Sequence, residues 1–189
     1  MNFEEAVLPH LDAAYNLARW ITRNEHDAQD VVQESYLRAL RFFGGFHGPD
    51  ARAWLLTIVR NTCYTWLRRN RSPELSDDFD EAVREKQSGE PDPETTQVLK
   101  AQTQLINDAI EKLPLEFREV VVLRELEELS YKEIAVVTGV PIGTVMSRLA
   151  RARKRLHESL RELSPDDSVE TVQRATSTSC AVANNNCLS

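Results

Sequence analysis

The 189-residue chain has few of the residues that suit turns and sheets, with only six glycines and eight prolines. Alanine, leucine, arginine and glutamate are abundant instead, a composition that favours helices. The sequence contains no apolar run of the ~18–20 residues that cross a bilayer. Its acidic start, MNFEEAVLPH, lacks the basic and apolar segments of a signal peptide. We therefore expect a cytoplasmic protein without direct membrane insertion.

Cysteine and histidine are scarce, and neither is grouped as a metal site or a catalytic site requires. Cys63, Cys180 and Cys187 are odd in number, far apart and without zinc-ligand spacing, which favours free thiols in a reducing compartment. The histidines form no triad or metal spacing, and the sequence has no glycine-rich phosphate loop. The sequence therefore predicts no catalytic residues, no metal site and no cofactor, and we do not expect an enzyme.

Negative charge is concentrated in one segment of the chain. The formal net charge is -7, and residues 72–97 alone hold nine acids and two bases, which is also 2 − 9 = -7. This segment contains three prolines and few large apolar residues, so we predict an acidic flexible linker. It separates a domain at 1–71 from a domain at 98–163. The polar, aperiodic residues 164–189 predict a disordered tail.

The hydrophobic periodicity predicts helices in both domains and no convincing strand. We expect the fold class to be all-α, with two small helical domains and a helix-turn-helix in the second. The pair Gly44-Gly45 ends one predicted helix, and Pro114 separates two others. The predicted helices lie near 2–22, 27–43, 50–70, 98–113, 115–127, 131–138 and 142–162.

A helix-turn-helix is indicated by the stretch LSYKEIAVVTGVPIGTVMSRLARARKRL. Ser130 followed by Glu133 forms a capping box that begins a short helix. Gly139 suits the left-handed turn that ends it, and Pro141 helps to open the next helix. A short capped helix, a glycine turn and a basic second helix are typical of DNA-binding proteins.

The second helix of this motif carries five bases and no acid between Met146 and Leu156. On a helical wheel its inward stripe is Val145, Leu149, Ala152 and Leu156. Its outward and flanking sides are basic, and small polar residues lie near its beginning. This arrangement suits insertion into a major groove, with early residues at base edges and later bases on phosphates.

The helix predicted at 27–43 has an apolar stripe and an acidic side. An apolar leucine, Leu37, lies within the acidic side, which is a weak sign of a protein-docking surface. A solvated face is the alternative interpretation of the same pattern. The predicted buried stripe consists of Val32, Tyr36, Ala39, Leu40 and Phe43.

The helix predicted at 50–70 combines bases with aromatic residues, and residues 51–71 contain no acid. Aromatic rings on which nucleobases stack, beside arginines that hold phosphates, suit single-stranded nucleic acid. The alternative is that the tryptophans belong to the core, which we expect for Trp54 and leave open for Trp66.

Together these stretches resemble the extracytoplasmic-function (ECF) branch of the sigma-70 family of bacterial RNA polymerase sigma factors. DAQDVVQESYLRALR is similar to conserved region 2.2, and ARAWLLTIVRNTCYTWLRR to regions 2.3 and 2.4. LPLEFREVVVLRELEELSYKEIAVVTGVPIGTVMSRLARARKRL is similar to regions 4.1 and 4.2. Gln29 departs from the more acidic DAED of many relatives. Met146 departs from the arginine of some, so their −35 preference does not carry over.

The resemblance implies an alternative sigma factor that binds core RNA polymerase and directs promoter-specific initiation. The domain at 1–71 would dock on the β′ clamp helices and recognise the −10 element. The domain at 98–163 would bind the −35 element as duplex and touch the β flap. The linker would run towards the RNA-exit channel. Such sigma factors are commonly held by an anti-sigma factor, which we expect as a further partner.

The resemblance also implies roles for residues of this sequence. Polymerase docking is expected from the acidic side of the predicted helix at 27–43: Asp27, Asp30, Gln33, Glu34, Leu37 and Arg41. Contacts to the −10 element are expected from Arg60, Asn61, Thr62, Cys63, Trp66, Arg68 and Arg69. Within that set, a loop that captures a flipped base is expected at residues 61–63. Base edges of the −35 element are expected to meet Thr144, Ser147, Arg148 and Arg151. Its phosphates are expected to meet Arg153, Lys154 and Arg155.

Three other classes of protein are alternatives to this interpretation. A response-regulator-type transcription factor needs an effector or phosphoacceptor domain with strands, which the first half does not predict. An enzyme needs a grouped catalytic or phosphate-binding motif, which the sequence lacks. A purely structural helical adaptor would not require the basic second helix of the helix-turn-helix.

Overall fold

The computed structural model describes residues 2–70 and 95–163, with side chains described from residue 103 onward in the second range. All regular elements in these ranges are helical, so the all-α prediction is confirmed. The tail at 164–189, residue 71 and residues 72–94 of the predicted linker lie outside the described residues. The last three residues predicted as linker, 95–97, are helical instead, because α5 begins at Thr95.

The first half consists of four α-helices, one more than the sequence predicted. A single helix was expected near 2–22, and this is wrong, because the chain forms a 3-10 turn at Leu8–His10. Pro9 lies in that turn, where it lacks an N–H to donate and its ring would clash within a continuous α-helix. The helices are α1 Phe3–Val7, α2 Leu11–Thr22, α3 Glu25–Phe42 and α4 Ala51–Asn70.

Local signals fix where α3 and α4 begin. The Asn24 side chain accepts a hydrogen bond of 3.1 Å from the backbone N–H of Asp27, so Asn24 caps α3. The Asp50 carboxylate accepts a 2.9 Å hydrogen bond from the backbone N–H of Ala53 at the start of α4. Each cap satisfies a backbone donor that has no partner within its helix.

Helices α2, α3 and α4 pack on one another around a core that includes Leu17, Leu56 and Val59. The buried face of α3 differs from the predicted stripe. Leu40 is 51% exposed, whereas Ser35 and the smaller apolar residues of α3 are buried. Small residues let α3 approach two neighbouring helices, and the apolar pattern alone did not indicate this rotation.

The second half has four α-helices and one π-helical turn. The predicted helix at 115–127 is divided into an α-helix and the π-helical turn Val122–Leu126. Leu123, Ile134 and Leu149 are among its fully buried core residues. The α-helices are α5 Thr95–Glu111, α6 Leu115–Val121, α7 Tyr131–Thr138 and α8 Ile142–Leu163.

The two halves pack against each other, with α4 on α7 and α2 on α6. Polar contacts cross the junction. Arg118 Nη1 donates a 2.9 Å hydrogen bond to the carbonyl oxygen of Trp20 near the end of α2. Glu127 accepts from Arg52 Nη2 at 2.8 Å and from Asn16 Nδ2 at 3.1 Å. We call this junction the seam, and it brings the two predicted DNA-reading parts together.

Across the described ranges, no helix taken singly has the length and apolar character to cross a bilayer. The bent pair α7 and α8 meets those criteria when its two helices are counted together.

Candidate nucleic-acid interface

The predicted helix-turn-helix is present. The Ser130 hydroxyl accepts from the backbone N–H of Glu133, and the Glu133 carboxylate accepts from the backbone N–H of Ser130 at 2.6 Å. These hydrogen bonds to Ser130 hold the pKa of Glu133 below its usual value. Gly139 ends α7 in the left-handed conformation with φ 68°. The bend between α7 and α8 is 100°, within the range of this motif.

The orientation of α8 agrees with the sequence prediction. Val145, Leu149 and Ala152 are buried, and Leu156 packs against the same core. On the opposite side of α8, a polar and basic surface is exposed to solvent. Its exposed members from the predicted DNA-binding set are Ser147, Arg151, Lys154 and Arg155.

Two other arginines of α8 are engaged in ion pairs. Arg148 lies 3.1 Å from a carboxylate oxygen of Glu116 and 3.5 Å from one of Glu119. Arg153 lies 2.7 Å from a carboxylate oxygen of Glu125. The seven predicted −35 residues therefore share one helix, but they are not equally available to DNA.

The predicted base-capturing loop at residues 61–63 is wrong, because these residues lie within the continuous helix α4. Thr62 and Cys63 are buried, and the Thr62 hydroxyl donates to the Ile58 carbonyl at 2.8 Å. Burial raises the pKa of the Cys63 thiol to about 12. In this arrangement neither side chain can meet a base, and of the three only Asn61 is exposed.

The remaining −10 candidates fall into two groups along α4. Arg68 and Arg69, at its C-terminal end, are exposed, whereas Arg60 lies in the seam. Trp66 is half-buried and packs against the core. Trp54, which was expected in the core, is also half-buried: it packs against the core and on Phe46, with 4.7 Å between the ring centroids.

A loop lies directly before α4, whereas the sequence had predicted a loop within this helix. It comprises residues 46–50, where Phe46 packs on Trp54 and Asp50 caps α4. Sequence reasoning missed this loop as a candidate for base capture. Its signal was the cluster of turn-forming residues in GGFHGPD.

The acidic side of α3 is on the surface as predicted. Asp30, Gln33, Leu37 and Arg41 are exposed, and Leu37 is 59% exposed. Partial burial is the main reason that the pKa of Asp27 is raised. Glu34 is half-buried and pairs with Arg38 one turn further along α3. The structure adds exposed apolar residues to this surface that the sequence had assigned to the core or left unassigned, namely Leu40 and Phe42.

No three His, Cys, Asp or Glu side chains in residues 2–70 and 95–163 converge into a group that could hold a metal. The arrangement offers basic helices, an exposed acidic face and aromatic packing, which are suited to nucleic-acid and protein contacts.

Comparison with known proteins supplies the family. Residues 6–72 match sigma-70 region 2, and residues 103–156 match sigma-70 region 4. The chain is 34% identical over 177 residues to the ECF RNA polymerase sigma factor SigE of Mycolicibacterium smegmatis. That match covers 92% of this chain and 66% of SigE. The chain is also 38% identical over 144 residues to the ECF RNA polymerase sigma-E factor of Salmonella typhimurium, covering 72% of this chain and 75% of that protein.

A solved structure is similar as well. The sigma factor RpoE of Bartonella quintana, in complex with the anti-sigma factor NepR, superimposes with a TM-score of 0.66 at 29% identity. The superposition covers 84% of this chain and 96% of that chain. The order of the two matched regions, the helix-turn-helix and these similarities agree. This chain therefore belongs to the ECF RNA polymerase sigma factors of the sigma-70 family, which direct promoter-specific initiation of transcription.

Proposed function

We propose that this chain joins core RNA polymerase through the exposed acidic side of α3 and brings it to promoters with a −10 and a −35 element. The observation that carries this proposal is the capped helix-turn-helix with a basic, solvent-facing α8, in one chain with a sigma region 2 match. In this division of labour the first half, 1–71, contacts the β′ clamp helices and the −10 element. The second half, 98–163, contacts the −35 element and the β flap.

The experiment that tests the proposal is run-off transcription with purified core polymerase on a library of genomic promoters. Promoter-specific transcripts that depend on the added chain support it. A chain that neither binds core nor changes which promoters are transcribed would overturn it.

Docking on core is proposed to use the residues of α3 that lie on one exposed side. An apolar Leu37 among acids can insert into an apolar site while Asp30 meets basic groups of the partner. Asp30→Lys should weaken binding to core without loss of helix content, because this side chain is exposed. Asp12→Lys, an equal charge reversal at an exposed position of α2, is the matched control and should leave core affinity unchanged. The docking set is Asp27, Asp30, Gln33, Glu34, Leu37 and Arg41.

Contacts to the −10 element are proposed to start from the exposed residues of α4. Asn61→Ala should change the preferred −10 sequence, and Arg68→Ala or Arg69→Ala should reduce open complexes at all promoters, because arginine holds phosphates of any sequence. Arg23→Ala, another exposed arginine of the first half, is the control. The loop at residues 46–50 is the better candidate for capture of a flipped base, since it lies beside α4 and residues 61–63 do not form a loop.

The partner set follows from the family. Promoter DNA and core polymerase are the proposed working partners, and a cytoplasmic location is proposed because these partners work there. The RpoE structure contains an anti-sigma factor, which supports an anti-sigma partner here as well. Of the residues predicted as a linker between the two halves, 72–94 are proposed to have that role, and residues 164–189 are proposed as a tail. A role for the chain as a regulator without catalytic residues or cofactor is proposed on the same family basis.

A further inference from the structure

One buried carboxylate joins the two halves. Glu119 of α6 is 1% exposed, and its acceptor oxygens are shared by groups of both halves. Oε2 accepts from Arg60 Nε at 2.8 Å and from the Tyr64 hydroxyl at 2.9 Å, and Oε1 accepts from Arg60 Nη2 at 3.2 Å. From the other side, Arg148 Nη1 approaches Oε1 to 3.5 Å. We call these four residues the Glu119 cluster.

The cluster is well matched in charge and geometry. Burial by itself would lower the pKa of Arg60, but the hydrogen bond and charge of Glu119 outweigh it and raise that pKa. The Arg60 guanidinium also lies 4.4 Å from the centre of the Tyr64 ring. A buried carboxylate left without these donors would be costly, so the cluster favours the arrangement in which the two halves touch.

The same arginines are needed for DNA binding. Arg60 lies on α4 among the −10 candidates, and Arg148 is a candidate for −35 base edges. Their side chains are only 16% and 20% exposed in the seam. Arg60 binds Glu119 through Nε and Nη2, and Arg148 is shared between Glu119 and Glu116. A guanidinium engaged in this way cannot at the same time be bidentate to a phosphate or a guanine. Closure of the seam and DNA binding therefore compete for the same donors.

The other seam contacts involve different groups. Glu127 pairs with Arg52, and Arg118 donates to the Trp20 carbonyl, and none of these residues is a DNA-reading candidate. Next to the Glu119 cluster the seam is less completely packed. A cleft of about 420 Å³ opens between Arg60 and Tyr64 on one side and residues 114–116, Val140 and Arg148 on the other. Water or a competing anion can reach the cluster through this cleft.

We propose that Glu119 is an autoinhibitory clasp, which holds the two halves closed and withholds Arg60 and Arg148 from promoter DNA until the seam opens. The proposal rests on the proposed DNA-binding function, and it adds the residue that couples closure of the seam to DNA binding. Once the seam opens, the ion pairs of Arg148 with Glu119 and with the exposed Glu116 both face water and are correspondingly weak, so a DNA phosphate can displace the carboxylates. Opening of the seam beside Glu119 thus frees one arginine of each half, Arg60 and Arg148, to donate to DNA.

The first test measures the distance between the halves in the full chain, with no DNA and no polymerase present. Donor and acceptor dyes are attached at Gln29→Cys of α3 and Glu158→Cys of α8, both exposed positions, after Cys180 and Cys187 are changed to Ser. Cys63 is buried and is left in place. We expect Glu119→Gln to lower the energy transfer relative to the parent chain. Energy transfer that is the same in both proteins overturns the clasp.

Glu125→Gln is the matched control. It removes one negative charge from the same half and breaks a 2.7 Å ion pair to Arg153 of α8, but this pair does not cross the seam. Its energy transfer should equal that of the parent chain. A decrease as large as that of Glu119→Gln would assign the effect to net charge and overturn the clasp.

A milder variant covers the case in which Glu119→Gln does not fold. Tyr64→Phe removes only the 2.9 Å hydrogen bond to Glu119 and keeps the ring. It should shift energy transfer in the same direction by a smaller amount, with helix content unchanged by circular dichroism. An unchanged distance in this folded variant counts against the clasp.

The second test uses a −35 duplex with unlabelled proteins. If closure withholds α8, Glu119→Gln should raise the apparent affinity by ~3–10-fold, in proportion to the gain in open molecules. Glu125→Gln should raise the apparent affinity for the duplex by a smaller factor than Glu119→Gln. A parent chain with no affinity for any promoter duplex or for core would overturn the proposed function, whereas the DNA-free distance still decides whether Glu119 closes the seam.

Discussion

The two sides of α8 carry the same residue type in different surroundings. Arg148, on the side towards the seam, is paired with Glu116 and Glu119 and is mostly buried. Arg151, less than one turn later on the solvent side, is exposed. Both are arginines of one basic helix, so the difference comes from the acids that α6 places beside only one of them.

This difference shows that basic charge along a helix does not by itself define a DNA-binding surface. The solvent side of α8 is available for phosphates in the closed arrangement, whereas the seam side first has to lose its carboxylate partners. Three sets of substitutions in α8 separate the two sides, and a fourth substitution, in the cap of α7, has the smallest expected effect.

The largest effect is expected from the apolar residue next to Arg148. Leu149 is 2% exposed, and Leu149→Ala should lower the free energy of unfolding by ~2–5 kcal/mol through lost burial and a cavity. Arg151→Ala, on the solvent side, should change it by less than ~0.5 kcal/mol. Urea denaturation of the full chain measures both. Equal losses in the two variants would contradict the inward and outward sides assigned to α8.

The second effect concerns sequence preference. Arg148→Ala and Arg151→Ala should each change which −35 sequences are selected, because a bidentate arginine–guanine contact is worth ~1–3 kcal/mol of discrimination. Arg148→Ala also removes a partner of Glu119, but both residues belong to the second half, so the contacts of Glu119 with Arg60 and Tyr64 across the seam remain and the energy transfer should not fall. Selection from a randomised −35 duplex gives the preference. An unaltered preference in both variants would mean that α8 enters the groove in another orientation.

The third effect is on the salt dependence of binding. Lys154 and Arg155 are exposed late in α8, and we expect them to meet phosphates. Each alanine substitution should reduce the slope of log affinity against log salt concentration by ~0.9, with little change in −35 preference. Titration of a −35 duplex at several salt concentrations measures this slope. A changed preference with an unchanged slope would assign these residues to base edges.

The smallest effect is expected at the capping box that begins α7. The pKa of Glu133 is lowered in the folded protein by its hydrogen bonds to Ser130, so its charged form stabilises the fold above the unfolded pKa. That stability is lost as the pH falls through the folded pKa. Glu133→Gln should therefore be less stable than the parent by ~0.3–1 kcal/mol at pH 7 and should approach it in acid. A difference that is independent of pH would exclude the carboxylate charge as its cause.

The features that the sequence predicted correctly depend on residues close together in the chain. Ser130, Glu133 and Gly139 determine the beginning and end of α7 within ten residues, and the apolar spacing from Val145 to Leu156 determines the inward side of α8. The exposure of Leu37 on the acidic side of α3 was predicted from the same helical periodicity. Helical periodicity and caps act over a few residues, so the sequence displays them directly.

The features that it did not predict depend on which helices meet. The exposure of Leu40 and the burial of Thr62 and Cys63 follow from how α3 and α4 pack, although these helices themselves were expected. The break at Leu8–His10 was a missed local signal, because Pro9 was visible in the sequence.

By itself the sequence determined an all-α chain, a capped helix-turn-helix, a basic recognition helix and a family resemblance, because each rests on short-range patterns of side chains. The tertiary structure decided which of the bases are available. Glu119 lies in the stretch EFREVVVL, after another acid and a base, and nothing in its neighbourhood in the sequence marks it as the partner of Arg60, 59 residues away. That pairing exists only because α4 and α6 meet in the seam, where a buried charge must find its opposite among whatever side chains the packing brings within reach.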